Sequence, residues 1–466
     1  MIKMNQSWFL EKSRLQYWVF FLIVFISRLP FINSGYGYEE DSWGMMNAMQ
    51  RMAGSGKFEI SRFPGHPVLE FVYSLMPFAP YFMINVCTAL VSSVGLVFFM
   101  ALLKKYQIKK AFWYALALAF VPVVSIKSTD NMDYMWAVAF TIIAWYCLVR
   151  KYWYAWAIML ALAVASRFTA IVFLPASCLI MYYQYNLKWQ HIVFYTMVCI
   201  ATVTLCFWQV ILHYNSSVYI VPYILGYPDV LKTVFKSSIG VWGVLGCVAS
   251  LAMLFSFFTR KAALQKHTIW AIGFALVFAL LLFIWQPHKA AYLIVALPFF
   301  FFLWAAYSNG KHVVLIALLL VASNFLCGIY LNDNYRGNKS NGIVMHIAGQ
   351  SLSFDLFKGP LIAEHEKRNK KLAFVYAVID TLPKLKQPFV ILSGWYTNEL
   401  EVIARSKNIN INCEYFITPE LLRDYKQKSI TVYYLPQQDA VNDLRWQTNT
   451  KKMALPLYHS NTPFIF

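Results

Sequence analysis

The sequence predicts an α-helical polytopic membrane protein of about eleven transmembrane helices, with a long first outer loop and a small C-terminal soluble α/β domain. Three observations carry this. Of 466 residues, 59% are hydrophobic and only 13% charged, and the apolar residues come in long blocks rather than with amphipathic spacing. The formal net charge of +19 gathers in short clusters between those blocks, which is the positive-inside pattern and not a nucleic-acid motif. From about Asn332 the composition turns polar, and strand and helix signals replace the blocks.

The first block, 16–33, follows Lys3, Lys12 and Arg14 as a signal peptide's would. It ends in "FISRLPF" without a small-residue cleavage site, so it reads as a retained span. The second, 81–103, runs into "KKYQIKK", which marks the cytoplasmic side. Spans at 110–126 and 133–150 flank "KSTDNMD", and those at 153–166 and 168–184 flank "SRF", with a re-entrant pair as the alternative for the latter two. Spans 190–213 and 239–258 enclose an outer segment whose Asn215 fits the short glycosylation pattern. Spans 268–285, 290–307 and 312–330 are joined by "WQPHKAA" outside and "SNGKH" inside.

The N-terminus is then cytoplasmic and the C-terminus outside, with a membrane region 1–331, a first outer loop 34–80 and an outer tail 332–466. Within the tail, "PFVILSGWYTNELEVIARS" reads as a buried strand followed by a helix, and "KSITVYYLP" as a strand. "ITPELLRDYK" reads as a helix with a Thr cap and Pro at its first position. The eight cysteines have neither paired nor metal-like spacing.

Charged side chains at a bilayer surface are costly and usually have a partner or a task. The outer inventory is Glu39, Glu40, Asp41, Arg51, Lys57, Arg62 and His66 in the first loop, then Lys127, Asp130 and Asp133, then Arg167, then His288 and Lys289. A carboxylate can serve as general base toward a hydroxyl, or hold a divalent metal with others. Arginine, lysine and histidine at membrane depth can clamp a phosphate whose lipid tail lies between spans. Together the two halves suit cleavage of a sugar from a lipid phosphate.

Plainer readings stand beside this one. The acids of "EEDSW" can be solvated loop, and Arg167 can be an interfacial residue reaching to the headgroups. Asp130 or Asn131 can cap the following helix, and His66, between the prolines of "FPGHPVLE", can be an ordinary loop histidine on a tight, non-helical path. A transporter or flippase for a lipid-linked saccharide could use the same bases, although no internal repeat accompanies them. An inactive scaffold whose outer region binds a partner is the third alternative.

Taken in order, "GYGYEEDSWG", "FPGHPVLE", "KSTDNMD", "ALAVASRFTAIVFLPA" and "QPHKAAYLIVALPFFFFLWA" resemble the GT-C superfamily of glycosyltransferases, in the branch of protein O-mannosyltransferases and aminoarabinose transferases. The likeness covers roughly 15–330. Two departures are Glu40-Asp41 where relatives often have Asp-Glu, and His66-Pro67-Val68 in place of His-Pro-Pro.

The resemblance implies an inverting transferase of a bacterial inner membrane, using a polyprenyl-phosphate-linked sugar and a periplasmic acceptor that is a lipid, glycan or protein. It implies Asp41, or else Glu40, as the base, with Glu40 otherwise its partner; Glu39 is then left as a solvated loop acid. Arg167, Lys127, His288 and Lys289 would bind the donor phosphate, and His66, Arg62, Asp130 and Asp133 would position the acceptor or the loop. A divalent cation, Mg or Mn, is left open, with Glu40, Asp41 and Asp130 as the oxygen ligands if one is used. Nucleic acid is not an expected partner.

Overall fold

The computed structural model describes residues 6–214, 230–259, 262, 264–308, 310, 312–331, 343–347, 350–415, 419–435, 450–452 and 458–460. Among these, six helices are long and apolar enough to cross a membrane: Arg14–Phe31, Tyr81–Lys105, Trp189–Cys206, Ile239–Thr259, Lys266–Trp285 and Ala290–Ser308. The chain is a mostly helical, multi-pass membrane protein on that basis.

In order, the membrane part contains α1 (Gln6–Arg28), α2 (Glu40–Ser55), α3 (Pro67–Ser74), α4 (Tyr81–Lys105), α5 (Ala111–Ala119), α6 (Pro122–Lys127), α7 (Tyr134–Val149) and α8 (Trp153–Ser166). There follow α9 (Phe173–Tyr183), α10 (Trp189–Cys206), α11 (Trp208–His213), α12 (Val230–Ser237), α13 (Ile239–Thr259), α14 (Lys266–Trp285), α15 (Leu297–Ser308) and α16 (Val313–Phe325). The expected spans at 133–150, 153–166, 168–184 and 312–330 coincide with apolar helices of 10–17 residues. At 16 residues, α7 rises only about 24 Å where a bilayer core is about 30 Å thick. The expected span 110–126 is divided between α5 and α6, because Pro122 donates no hydrogen bond and holds Val121 extended, at ψ 126°.

The helices pack closely where small residues meet. A Cβ built on Gly95 of α4 would lie 2.5 Å from the Cβ of Ala139 on α7, so only glycine permits this approach. Apolar side chains left outside this packing, such as Phe255, Phe258, Trp270 and Leu281, stud the outer faces of α13 and α14 as lipid-facing residues do.

The tail carries two sheets. Strands β1 (Gly328–Leu331), β2 (Ile343–Ile347) and β3 (Gln350–Asp355) form an antiparallel sheet in the order β1-β3-β2, which straddles the expected boundary at 331/332. Strands β4 (Phe389–Leu392), β5 (Cys413–Glu414), β6 (Thr431–Tyr434), β7 (Thr450–Lys452) and β8 (Tyr458–Ser460) form the second, in the order β5-β4-β6-β8-β7. Here β4 runs parallel to β5 and β6, and the rest is antiparallel. Helices α17 (Pro360–Thr381), α18 (Thr397–Ser406) and α19 (Pro419–Gln427) accompany them. The strand and helix expected within 388–406 are β4 and α18, and the strand expected within 428–436 is β6. Thr418, the expected cap, and Asn215 lie outside the described residues.

Helix α2 joins the two parts. Its first turn holds Glu40 and Asp41, which favour the positive end of the helix dipole, and Gly56 closes it at φ 68° with its N–H bonded to the Met52 carbonyl. Trp43, Met46 and Met49 share one buried core with Val375 and Val378 of α17 and with Leu400 and Ile403 of α18. The first loop is therefore wedged between membrane helices and tail.

Candidate functional site

The site begins at Asp133, which is fully buried at the start of α7. A buried carboxylate requires cationic partners. Arg167 donates to its Oδ2 at 2.6 Å, and Arg62 donates to its Oδ1. Arg167 stands where α8 stops and the backbone turns extended, at φ −155° and ψ 121°, and its guanidinium lies over the rings of Tyr134 and Tyr292 at 4.2 and 4.9 Å. Its Nε is buried without a hydrogen-bond partner among the described residues.

Arg62 also donates through Nε to His66 Nε2 at 2.8 Å, while His66 Nδ1 lies 2.8 Å from the Ser166 carbonyl. This pattern assigns the imidazole proton to Nδ1 and makes the ring neutral. Burial first, then the adjacent Arg62, pushes the His66 pKa down to about 4. The loop reaches this position through a cis Phe63–Pro64 bond and Gly65 at φ 98°, the tight non-helical path that its prolines implied.

From Arg62 the charges alternate. Asp41 Oδ2 lies 3.4 Å from Arg62 Nη1 and 2.9 Å from Lys289 Nζ. Lys289 reaches Glu39 at 2.5 Å, Glu39 reaches Lys127 at 2.5 Å, and Lys127 reaches Asp130 at 2.9 Å. Asp130 then meets Arg368 of α17 at 3.5 Å, and Arg368 meets Glu364 at 3.6 Å. Acids and bases match one for one along this network.

Glu39 is thus not a solvated loop acid. Its side chain is 20% exposed and bridges two lysines. Burial alone would raise its pKa, but Lys127 and Lys289 overcome that and hold it well below the usual carboxylate range. Asp41, at 39% exposure, is likewise held down by Arg62 and Lys289 against the effect of burial. Nor do Asp130 and Asn131 cap α7: Asp130 is paired with Lys127, and Asn131 donates to the Ser42 carbonyl at 3.1 Å.

Glu40, although adjacent, faces elsewhere. Asn398 donates to its Oε1 at 2.9 Å and Tyr415 donates to its Oε2, both from the tail. Burial pushes its pKa up to about 7, against the hydrogen bond from Tyr415. Among the described residues His288 meets the site through its backbone carbonyl, which accepts from Lys236 Nζ at 2.7 Å.

One side of the network opens into a cavity of about 920 Å³. Asp41, Arg62, His66 and Arg167 form its polar end. Its other walls are mostly apolar: Val203 of α10 and Phe207 just after it, Ile211 of α11, Ala279, Leu282 and Phe283 of α14, and Val295, with Thr169, Thr204 and Gln286 among them. A separate cleft of about 800 Å³ at the far end of α2 is lined by Arg51, Glu59 and Arg405, and of the outer charged residues read from the sequence it contains Arg51 alone.

Among the described residues no group of three His, Cys, Asp or Glu converges as metal ligands do. Glu40, Asp41 and Asp130 turn to different partners, so together they do not fit a divalent cation. Sequence reasoning missed Tyr134, Tyr292, Arg368, Asn398 and Tyr415. Tyr292 was within reach, because it follows Lys289 in "KAAYL"; Arg368, in the charged run "EHEKRNKK", resembles any solvated helix face. No family model and no curated protein matches the chain.

Proposed function

We propose that the chain is an integral-membrane glycosyltransferase of the GT-C type, which moves a sugar from a polyprenyl-phosphate donor to an acceptor hydroxyl on the periplasmic side of a bacterial inner membrane. It crosses the membrane about eleven times, the short and broken apolar helices included, and its tail is a periplasmic α/β region. One observation carries this reading: a carboxylate and two arginines meet at the polar end of a cavity whose other walls are mostly apolar and come largely from apolar helices. That combination suits a ligand with an anionic head and a hydrocarbon tail.

In the free protein each base is already matched by an acid, so a phosphate must draw a base away from one. Asp41 is the acid that yields, being 39% exposed and only 3.4 Å from its guanidinium partner, whereas Asp133 is fully buried. A donor phosphate beside Arg62 weakens the pull of that guanidinium on Asp41 and so makes the carboxylate more basic. The acceptor oxygen then attacks the anomeric carbon as the bond from that carbon to the phosphate oxygen breaks. The hydroxyl proton passes to Asp41, and the bonding electrons leave with the polyprenyl phosphate, which gains one negative charge.

Asp41 loses its charge in the same step. Arg62 and Lys289, both paired with Asp41 beforehand, are released toward the leaving phosphate as its charge grows. Net charge in the site is unchanged throughout. The test is to incubate purified protein with a panel of polyprenyl-phosphate sugars and measure release of the lipid phosphate. Asp41→Asn is expected to abolish release while donor binding persists; full activity in that variant would sink the proposal.

A further inference from the structure

Strands β4 and β5 run parallel, and their carboxyl ends point toward the N-terminal turn of α2. In open sheets of this kind, ligands bind outside the carboxyl ends of the strands. Trp395 follows β4, and Tyr415 directly follows β5. Their rings meet edge to face at 5.7 Å, yet Trp395 remains 49% exposed, and its indole N–H has no hydrogen-bond partner among the described residues. Beside them stands the carboxyl of Glu40, with Asn398 and Tyr415 on its two oxygens.

A half-exposed indole with an unused donor, set against a carboxyl and an amide, is a surface built for a ring with an apolar face and polar edges. We propose that this edge of the tail is a saccharide subsite, in which a sugar ring stacks on Trp395 and its hydroxyls bond to Glu40 and Asn398. Under the transferase reading the saccharide belongs to the acceptor, since Glu40 directly precedes Asp41 in the chain. That role rests on the reading; binding of a sugar here does not. Neutral saccharides fit better than anionic ones, because the group presents the Glu40 carboxyl, and among the described residues no lysine or arginine donates to its oxygens.

The test uses the full chain in detergent, with mannotriose, chitotriose and maltotriose as probes in saturation-transfer NMR. At least one trisaccharide should give a signal, weakened about tenfold or more in affinity by Trp395→Ala and largely restored by Trp395→Phe. Glu40→Gln should weaken it less, since an amide still bonds to hydroxyls. Silence from all three sugars, or binding indifferent to Trp395→Ala, overturns the subsite. So does a loss of lipid association in Trp395→Ala without a loss of sugar binding, which would make Trp395 a membrane anchor. Polyprenyl-phosphate binding on the same preparations separates the two proposals: lipid phosphate bound without sugar refutes the subsite alone, and sugar bound without lipid phosphate refutes the transferase alone.

Discussion

Replacing Glu39 by glutamine keeps the shape and removes the charge between Lys127 and Lys289. Each lysine lies 2.5 Å from Glu39, but each also keeps a second carboxylate at 2.9 Å, Asp130 for Lys127 and Asp41 for Lys289. Breaking a buried pair from one side costs about 3–5 kcal/mol. Lys289, at 36% exposure, is partly relieved by solvent, so most of the cost falls on Lys127, at 8%. The retained carboxylates place the loss at the lower end, about 3 kcal/mol. Scaled to the unfolding entropy of a chain this long, that lowers Tm by on the order of 3 °C.

The assay is thermal unfolding of Glu39→Gln and wild type in the same detergent, at pH 7 and in acid. The sign follows from the depressed pKa: the folded value lies below the ordinary 4.5, so this stabilisation is complete above about 4.5 and is lost as pH falls through the folded value. The difference between the proteins should be full at pH 7 and should shrink only in strong acid. Equal Tm at pH 7 would return Glu39 to the solvated loop and refute the alternating network at its centre.

Glu40 has the opposite sign. With its pKa raised from 4.5 to about 7, it subtracts stability as pH rises through that window, so Glu40→Gln should flatten the pH dependence of Tm between about 4.5 and 7, and an unaltered profile would count against its buried setting. Ala279 lines the apolar wall of the cavity, and Ala279→Phe should weaken a long-chain polyprenyl-phosphate donor roughly tenfold or more while sparing a short-chain one. Equal affinity for both donors in that variant would show that the tail lies elsewhere.

Much of this was legible from residue type. Long apolar blocks announced the membrane helices, since no other solvent tolerates them, and the paired prolines announced the turn at Gly65. Hydropathy could not show that Tyr134–Val149 and its short neighbours are only 10–17 residues long, because composition reports burial and not where a helix ends. Within the site, Asp41, Arg62, Lys127, Asp130, Asp133, Arg167 and Lys289 were all on the sequence-derived list, and the structure brings them together. Pairing was not legible. Which lysine takes which carboxylate depends on contacts across hundreds of residues, such as Lys289 to Glu39, that no local spacing encodes.

The least legible feature is the division of labour among three consecutive acids. At the start of a helix successive side chains point about 100° apart, so neighbours in sequence must face different surroundings. Glu39 turns to two lysines, Glu40 to the tail's Asn398 and Tyr415, and Asp41 to the cavity. One bridges two cations, one meets the edge of a sheet, and one faces the cavity with bases on either side. A run of acids that looks redundant in the sequence therefore distributes charge over three surfaces at once. It also follows that no two of them are interchangeable: moving the carboxylate at the cavity by one position would direct it to the wrong partner, whatever the total charge.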